Sequence, residues 1–317
     1  MKYYYRVYGL NIESTIEIPE FEIIDRDLGK NSHINIDVKL SYGVVKDEIK
    51  DAIEQGRVAN YEKLDMWFYI KNLAIFHIYN GDTVVIEPCK DAELKMVKIY
   101  VMGSVLGMVL LQKNVVAIHG GGIVIDGKGC IFTGDKGAGK STITTAFRKK
   151  GYKFISDDVC SIDVGEVNTI NHGFGYQKIC EDAMEKLGYN VDDYVPFRGD
   201  LNVNKYIVPA FDEFTKEDVP LEAVFELKVG DVDEVEIEEI IGAKKLKKIM
   251  KNIFRVEMIH YSGGAEPVYF KKCIDLAQNI QFYKITRPRD LFSVDQQIEL
   301  IEEQVCNNNE VKLVKLG

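Results

Sequence analysis

Short runs of β-branched and aromatic residues, separated by polar turns, dominate residues 1–90. Such runs are typical of β-strands. The runs that carry this pattern are 3–8, 33–38, 66–70, 73–78 and 83–86. Asn80-Gly81 lies between the last two runs and is a strong hairpin signal. The pattern predicts an antiparallel meander, within a β-rich N-terminal module that spans residues 1–92.

The pattern becomes helical and strongly apolar over residues 91–113. Its longest apolar run, 99–111, is interrupted by glycine and serine, whereas a membrane span needs roughly 20 apolar residues. We therefore expect a buried core helix and no membrane segment. The polar and aromatic N-terminus lacks the apolar stretch of a signal peptide, so a cytoplasmic location is expected.

Strands and helices alternate in the remainder, which predicts an α/β domain over residues 93–317. Strands are expected at 115–119, 123–125, 130–133 and 224–227, with three glycines between the first two. Residues 177–187 are expected to form a helix, because Gly188 would end it and Lys186 would lie near its C-terminus.

The net charge of −10 argues against a general nucleic-acid or membrane-surface binder, which would need a basic face. The acidity is spread, with −4 on residues 1–90 and −6 on the rest. Six of the cations nevertheless lie within residues 136–153. The six cysteines include no CxxC pair and no zinc-ligand spacing with histidine, so free thiols are expected.

One segment matches the phosphate-loop pattern G-x-x-x-x-G-K-[ST] at every required position. The predicted nucleotide-binding residues are Gly134, Asp135, Lys136, Gly137, Ala138, Gly139, Lys140, Ser141 and Thr142. An apolar strand leads into the loop, and a helical stretch that ends at Gly151 follows it. Strand, glycine loop and helix form the context in which this motif binds a nucleoside triphosphate.

Each residue type in the loop has a chemical reason. Glycines let backbone N–H groups converge on phosphate oxygens, and the helix N-terminus adds partial positive charge. Lys140 can reach the β- and γ-phosphates, and the Ser141 hydroxyl can bind Mg²⁺. The predicted cofactors are therefore ATP and Mg²⁺.

Asp157-Asp158 follows the next predicted strand, residues 152–156. A right-handed βαβ crossover would place the end of this strand at the same sheet edge as the phosphate loop. One carboxylate could then bind the metal, and the other could accept a proton from an attacking hydroxyl. The alternative is that the two residues only start a loop or cap an element.

The stretch from His119-Gly120 through the phosphate loop and Lys149-Lys150-Gly151 to Asp157-Asp158 resembles the catalytic domain of HPr serine kinase/phosphorylase. More closely, the chain is similar to short bacterial HPr-kinase-like proteins, including kinases of lasso-peptide precursors. The resemblance covers residues 119–158. It implies a P-loop kinase domain of the HPr kinase and phosphoenolpyruvate carboxykinase type, which uses ATP and Mg²⁺ to phosphorylate a serine hydroxyl.

By position, the resemblance implies that Asp157 is the catalytic acid/base and that Asp158 is its acidic neighbour, a metal ligand with Ser141. It also implies that His119 lies close to the reacting phosphate, with Lys140 completing the catalytic set. Taken alone, a histidine before three glycines is also compatible with a turn residue.

The chain departs from the bifunctional enzyme of that family at Thr142, where the enzyme has an acidic residue. Reverse phosphorolysis is therefore not part of the expectation. Arg198 and Lys205 are weaker candidates, as cations that hold a phosphate or a peptide carboxylate; the alternative for both is surface charge. The bifunctional relatives form hexamers, so a homo-oligomer is compatible with the resemblance.

The favoured function is an ATP- and Mg²⁺-dependent serine kinase that acts on a peptide or small protein, with Asp157 as general base. Two alternatives stay open. One is a kinase of a small hydroxyl metabolite such as free serine. The other is a nucleotide-binding or ATPase module without transfer activity, in a peptide-modification system. No nucleic-acid or membrane partner is expected.

Overall fold

The chain packs as two compact units in the computed structural model, which describes residues 1–24, 34–197 and 204–314, with side chains through Cys306. The N-terminal unit comprises residues 1–117 and 254–272, and the C-terminal unit comprises 118–253 and 273–317. Residues 93–117 thus group with the N-terminal strands. The division into domains 1–92 and 93–317 stays a prediction.

The N-terminal unit is built around one eight-stranded sheet with the order β3-β1-β2-β4-β8-β7-β6-β5. Its strands are β1 (Tyr3–Val7), β2 (Leu10–Ser14), β3 (Glu22–Ile23), β4 (Val38–Tyr42), β5 (Ala59–Glu62), β6 (Asp65–Ile70), β7 (Ala74–Tyr79) and β8 (Thr83–Pro88). The antiparallel hairpins β6-β7 and β7-β8 agree with the expected meander. Strand β4, however, pairs in parallel with both β2 and β8. Local patterns do not reveal these parallel pairs, because the pairs join strands that are distant in sequence. Of the strand expected at 33–38, residues 34–37 are not in a strand, and β4 begins at Val38.

Both faces of this sheet are covered by helices. The first three helices are α1 (Asp47–Glu54), α2 (Leu94–Tyr100) and α3 (Leu106–Gln112), the last two joined by a π-helical turn at Val101–Val105. Successive strand residues point to opposite faces. Trp67 accordingly packs with Ile49 of α1, whereas the next residue, Phe68, packs with Tyr100 at the end of α2.

Within the described residues, one helix is long and apolar enough to cross a membrane by length and composition. It is Leu94–Gln112, and 56% of its most apolar window is buried inside the structure. Core helices of soluble proteins meet the same criterion. The expectation of a core helix without a membrane role stays a prediction.

The C-terminal unit contains the second large sheet and a smaller, three-stranded one. The strands after β8 are β9 (Val116–Ile125), β10 (Lys128–Gly134), β11 (Lys153–Ser156), β12 (Val159–Asp163), β13 (Thr169–Asn171), β14 (Tyr176–Cys180), β15 (Val195–Phe197), β16 (Lys205–Pro209), β17 (Val219–Gly230), β18 (Glu236–Glu239) and β19 (Gln281–Pro288). The helices after α3 are α4 (Lys140–Lys149), α5 (Glu181–Lys186), α6 (Gly242–Lys251), α7 (Val256–Tyr261), α8 (Pro267–Asn279) and α9 (Val294–Val314). Of these, α7 and the start of α8 belong to the N-terminal unit. The α/β class is confirmed at this level, as a mixed α/β fold with several sheets.

The large sheet of the C-terminal unit has the order β10-β9-β12-β13-β17-β19-β18. Strand β10 also pairs in parallel with β17, so five of the strands form a closed circuit. Strands β10 and β11 both pair antiparallel to β9 and therefore run in the same direction on either side of it. Their C-terminal ends meet at one edge of the sheet, as the crossover argument predicts.

Helix α4 packs closely against this sheet. Phe147 stacks on Phe132 of β10 at a ring-centroid distance of 5.4 Å. A Cβ atom on Gly121 of β9 would lie 2.6 Å from Thr144 Cγ2, so only glycine lets the helix approach this strand so closely. The three glycines 120–122 lie inside the continuous strand β9 (Val116–Ile125), whereas the sequence pattern predicts that they separate two strands. This packing fixes the start of α4 at the sheet edge where β10 and β11 end.

Candidate active site

The phosphate-loop segment lies between the end of β10 and the start of α4, in the strand, loop and helix order that the motif predicts. Gly139 caps the helix with a φ of 110°, a left-handed conformation that favours glycine. The first N–H groups of a helix have no partner within it and point towards the preceding loop. Lys140 and Ser141 are the first two residues of α4, so the motif presents helix N–H groups, an ammonium and a hydroxyl together.

Lys140 folds back over the loop. Its Nζ donates to the backbone oxygens of Gly134 at 2.8 Å and Asp135 at 3.4 Å. Burial lowers the pKa of Lys140, and the nearby charge of Lys205 acts in the same direction. Asp157 and Asp158 oppose this shift, which places both carboxylates within electrostatic range of the loop lysine.

Asp135, the second residue of the loop, is held by two lysines from distant elements. It pairs with Lys228 of β17 and, at 3.0 Å, with Lys251 of α6. These hydrogen bonds lower the pKa of Asp135 to about 2. The loop is thereby tied to β17 and α6 through a side chain that the motif itself leaves unspecified.

Asp157 and Asp158 form a tight turn between β11 and β12. The N–H of Val159 donates to the Asp157 oxygen at 2.7 Å, and Asp158 adopts a φ of 63°. This combination matches a γ-turn with a positive central φ, which is rare and strained. Such strain costs on the order of 1–3 kcal/mol and clusters at functional sites.

The pKa values of the two carboxyl groups shift in opposite directions because their surroundings differ. Asp157 is 7% exposed, and its Oδ2 accepts from the Lys178 N–H at 2.9 Å. Burial, reinforced by the charge of Asp158, raises the pKa of Asp157 to about 6. Burial acts on Asp158 in the same sense, but the Lys178 ammonium at 2.7 Å and the nearby His119 outweigh it and lower the Asp158 pKa. A neutralised Asp158 beside a more basic Asp157 is the arrangement that separates a fixed anion from a proton acceptor.

His119 lies beside this turn. Its Nδ1 is 3.1 Å from the Asp158 backbone oxygen, which accepts only, so Nδ1 carries the proton in this contact. Burial lowers the pKa of His119, although Asp158 opposes the shift. A neutral imidazole beside the aspartate pair and the loop is thus favoured at neutral pH.

A buried polar network fixes the backbone of His119. The His119 N–H donates to the Asn252 oxygen at 2.8 Å, and Thr133 Oγ1 donates to the His119 oxygen at 2.7 Å. Thr133 also contacts Asn252 Oδ1 at 3.1 Å. Asn252 Nδ2 donates to the fully buried Glu226, which pairs with Lys248 at 2.5 Å. The histidine, the end of β10 and the end of α6 are therefore held together.

We expect Lys248→Met to lower the free energy of unfolding by about 3 kcal/mol, because it leaves the buried Glu226 carboxylate without its nearest cation. Urea denaturation measures this difference. Lys247→Met, at an exposed position of the same helix, should change stability by no more than about 0.5 kcal/mol. Equal stability of the two variants would contradict the role of the Glu226–Lys248 pair.

Two further predicted residues have different outcomes. Lys205 begins β16, and its charge acts on Lys140, His119 and both aspartates, so the structure brings it towards the site. Arg198 lies outside the described residues.

Comparison with known proteins adds little at this point. No protein-family model matches the chain, and no curated protein matches it. Among solved structures, the chain is similar to the Hpr(Ser) kinase/phosphatase from Coxiella burnetii, with 15% identity and a TM-score of 0.30. That match covers 62% of this chain and 97% of that one. The likeness is weak.

The predicted helix 177–187 was wrong in its first part, since Tyr176–Cys180 form strand β14 and the helix starts at Glu181. The reason is the buried Gln177 side chain, which accepts from Thr145 at 3.0 Å and Arg148 at 2.8 Å and thereby ties the strand to α4. This strand brings Lys178 to the aspartate pair, a contact that the helical interpretation did not anticipate.

Sequence reasoning also missed cations at the ends of other parallel strands. Arg287, at the end of β19, donates from Nε to the Ala138 oxygen at 3.3 Å, and Lys228 lies near the end of β17. Both strands run parallel to β10 or to its neighbour, so their C-terminal ends share its sheet edge. A search for cations after predicted parallel strands could have found them.

The oxygen donors at the loop suit Mg²⁺. Within the described part of the chain, no group of three or more His, Cys, Asp or Glu side chains could hold a metal. Mg²⁺ in nucleotide sites typically binds one or two protein oxygens together with substrate phosphates. The Ser141 hydroxyl and the Asp158 carboxylate supply this donor type, so the predicted set fits a metal that arrives with the nucleotide.

Proposed function

We propose that this chain is an ATP- and Mg²⁺-dependent phosphotransferase that phosphorylates a serine hydroxyl of a peptide or small protein. One observation carries the proposal. A buried carboxylate of raised pKa, Asp157, lies beside a neutralised one, Asp158, at the sheet edge where a phosphate loop begins its helix. A loop that only bound nucleotide would have no need for a buried, basic carboxylate within electrostatic range of its lysine.

In the proposed reaction, the acceptor hydroxyl oxygen attacks the γ-phosphorus of ATP. A new O–P bond forms, the bond to the β,γ-bridging oxygen breaks, and ADP leaves. Asp157 takes the hydroxyl proton, a step for which its raised pKa suits it near neutral pH. Lys140 and the first N–H groups of α4 neutralise charge on the phosphates.

Ser141 and Asp158 are proposed to hold the metal, which when bound neutralises phosphate charge and aligns the transferred group. Neutral His119, fixed by the Asn252 network, would contact the reacting phosphate from the β9 side. This role follows from its place beside the aspartate turn.

Lys205 is proposed to bind an acidic group on the acceptor. We expect Lys205→Met to raise KM for a serine peptide with neighbouring carboxylates about tenfold, because it loses one hydrogen bond to a charged group. The KM for ATP should change little. Steady-state kinetics with matched acidic and neutral peptides measures this. Exposed Lys216→Met is the control, and an equal effect of Lys205→Met on both peptides would contradict the assignment.

A panel of acceptors tests the function itself. The protein is incubated with Mg-ATP and serine peptides, small proteins or free serine, and phosphorylated products are detected by mass spectrometry. Phosphorylated peptide supports the proposal, whereas efficient phosphorylation of free serine alone would favour the metabolite kinase. ATP hydrolysis without phosphorylation of any acceptor would favour the ATPase module.

A further inference from the structure

Lys178 hydrogen-bonds both carboxylates of the aspartate turn. Its ammonium contacts Asp158 Oδ2 at 2.7 Å, and its backbone N–H donates to Asp157 Oδ2 at 2.9 Å. No sequence motif indicated this residue. A single position in β14 therefore holds the proposed base through the main chain and the proposed metal ligand through the side chain.

The main chain of Lys178 is rigidly placed. Residues 176–180 pair in register with β16, and the neighbouring Gln177 is fully buried against α4, where it hydrogen-bonds Thr144, Thr145 and Arg148. The Lys178 side chain is different, because 20% of it is exposed. A lysine with a fixed backbone and a partly exposed, flexible stem can move its charge without moving the strand.

The Asp158 oxygen that Lys178 contacts belongs to the carboxylate that would bind Mg²⁺. An ammonium 2.7 Å from an oxygen occupies a position in which a divalent cation would bind the same lone pairs. If the Lys178 ammonium and a metal ion both contacted this oxygen, their mutual repulsion would weaken the interaction of each with the oxygen. The Lys178 ammonium would therefore oppose binding of a metal at Asp158, and a bound metal would weaken the contact between Lys178 and Asp158.

We propose that Lys178 is an exchangeable counter-ion. Its ammonium pairs with Asp158 before the metal–nucleotide complex binds, and its side chain then moves so that the ammonium contacts the phosphoryl group that is being transferred. This inference rests on the proposed function. In this proposal the Lys178 ammonium stays paired with the metal ligand Asp158 until the metal binds, and it leaves Asp158 when the metal binds. The Asp158 carboxylate, whose side chain is 31% exposed, would thus be paired with a cation both before and after nucleotide binding.

The direct test is metal affinity, with Mn²⁺ as the probe and electron paramagnetic resonance to count free ions. Wild type, Lys178→Met and Lys178→Arg are titrated with Mn²⁺ alone and with a non-hydrolysable ATP analogue. Removing a competing cation should tighten Mn²⁺ binding to Lys178→Met about tenfold, the size of a typical coupling between two ligands. Lys178→Arg keeps the charge and should stay close to wild type. Exposed Lys153→Met on β11 is the matched control.

The transfer reaction tests the second half of the inference. Lys178→Met should lower kcat about 100-fold, because one charge on the transferred group is no longer neutralised, while KM for ATP changes little. Unchanged or weaker Mn²⁺ binding by Lys178→Met would overturn the exchange. Tighter Mn²⁺ binding with an unchanged kcat would overturn the proposed contact between the Lys178 ammonium and the phosphoryl group.

Different results would contradict the proposed function and the counter-ion role of Lys178. If wild type binds no Mn²⁺ even with the ATP analogue, the proposed function is wrong and this inference falls with it. If wild type binds Mn²⁺ with the analogue and Lys178→Met behaves identically, only the counter-ion role is wrong. Lys178→Gln, a second neutral variant, replaces Lys178→Met if thermal unfolding shows that the latter does not fold.

Discussion

Asp157→Asn is expected to reduce phosphoryl transfer by about 10²–10⁴-fold, the usual contribution of a general base. Asparagine keeps the size of the side chain and an oxygen that can accept the Lys178 N–H, but it cannot take a proton from the acceptor. In the proposed site the loop and the start of α4 bind the nucleotide and Asp157 does not, so nucleotide affinity should be nearly unchanged. Transfer rates by mass spectrometry and nucleotide Kd by fluorescence titration separate the two effects.

Asp163→Asn provides the matched control, because this aspartate is exposed at the end of the neighbouring strand β12. It should leave both transfer and nucleotide affinity at wild-type levels. Transfer by Asp157→Asn at the rate of this control would remove Asp157 from the role of base. A large loss of nucleotide affinity would instead assign it to nucleotide binding.

The second large effect concerns the loop lysine. Lys140→Met should lower kcat about 10²–10³-fold, as removal of a charged group aimed at a transition state does in other enzymes, and it should also weaken nucleotide binding. The variant loses the ammonium that now bonds the Gly134 and Asp135 oxygens. Kinetics and nucleotide titration measure kcat and Kd for the same preparation.

Lys150→Met is the control for this variant, since Lys150 follows the same helix and makes an exposed ion pair with Asp295. It should affect neither quantity, because exposed ion pairs contribute little. If Lys140→Met transfers phosphate as fast as Lys150→Met, the loop does not act as a phosphate loop in this chain.

The sequence predicted the parts of the site that are local. The strand, glycine loop and helix from β10 to α4 follow the motif, and the direction of β11 follows from crossover handedness. These features depend on neighbours along the chain, and a contiguous pattern contains that information. The sequence alone can therefore predict that Asp157 and Asp158 lie at the same sheet edge as the loop.

The parts that sequence reasoning missed come from elements distant along the chain. Gly188 and Lys186 favour a helix end, which predicts that Lys178 is helical, whereas the buried contacts of Gln177 with α4 favour the strand. Asn252 reaches His119 through the end of α6, which no local signal links to β9. The parallel position of β4 was missed for the same reason, since its partners are distant in sequence.

The most direct test of the central claim measures ADP and phosphorylated acceptor in one reaction. Wild-type protein is incubated with Mg-ATP and a serine peptide that has neighbouring carboxylates, and both products are quantified over time. The proposed phosphotransferase predicts one phosphorylated serine for each ADP formed, and a fall of about 10²–10⁴-fold in the rate of both products with Asp157→Asn. ADP that accumulates with free phosphate, while no hydroxyl acceptor gains a phosphoryl group, would contradict it.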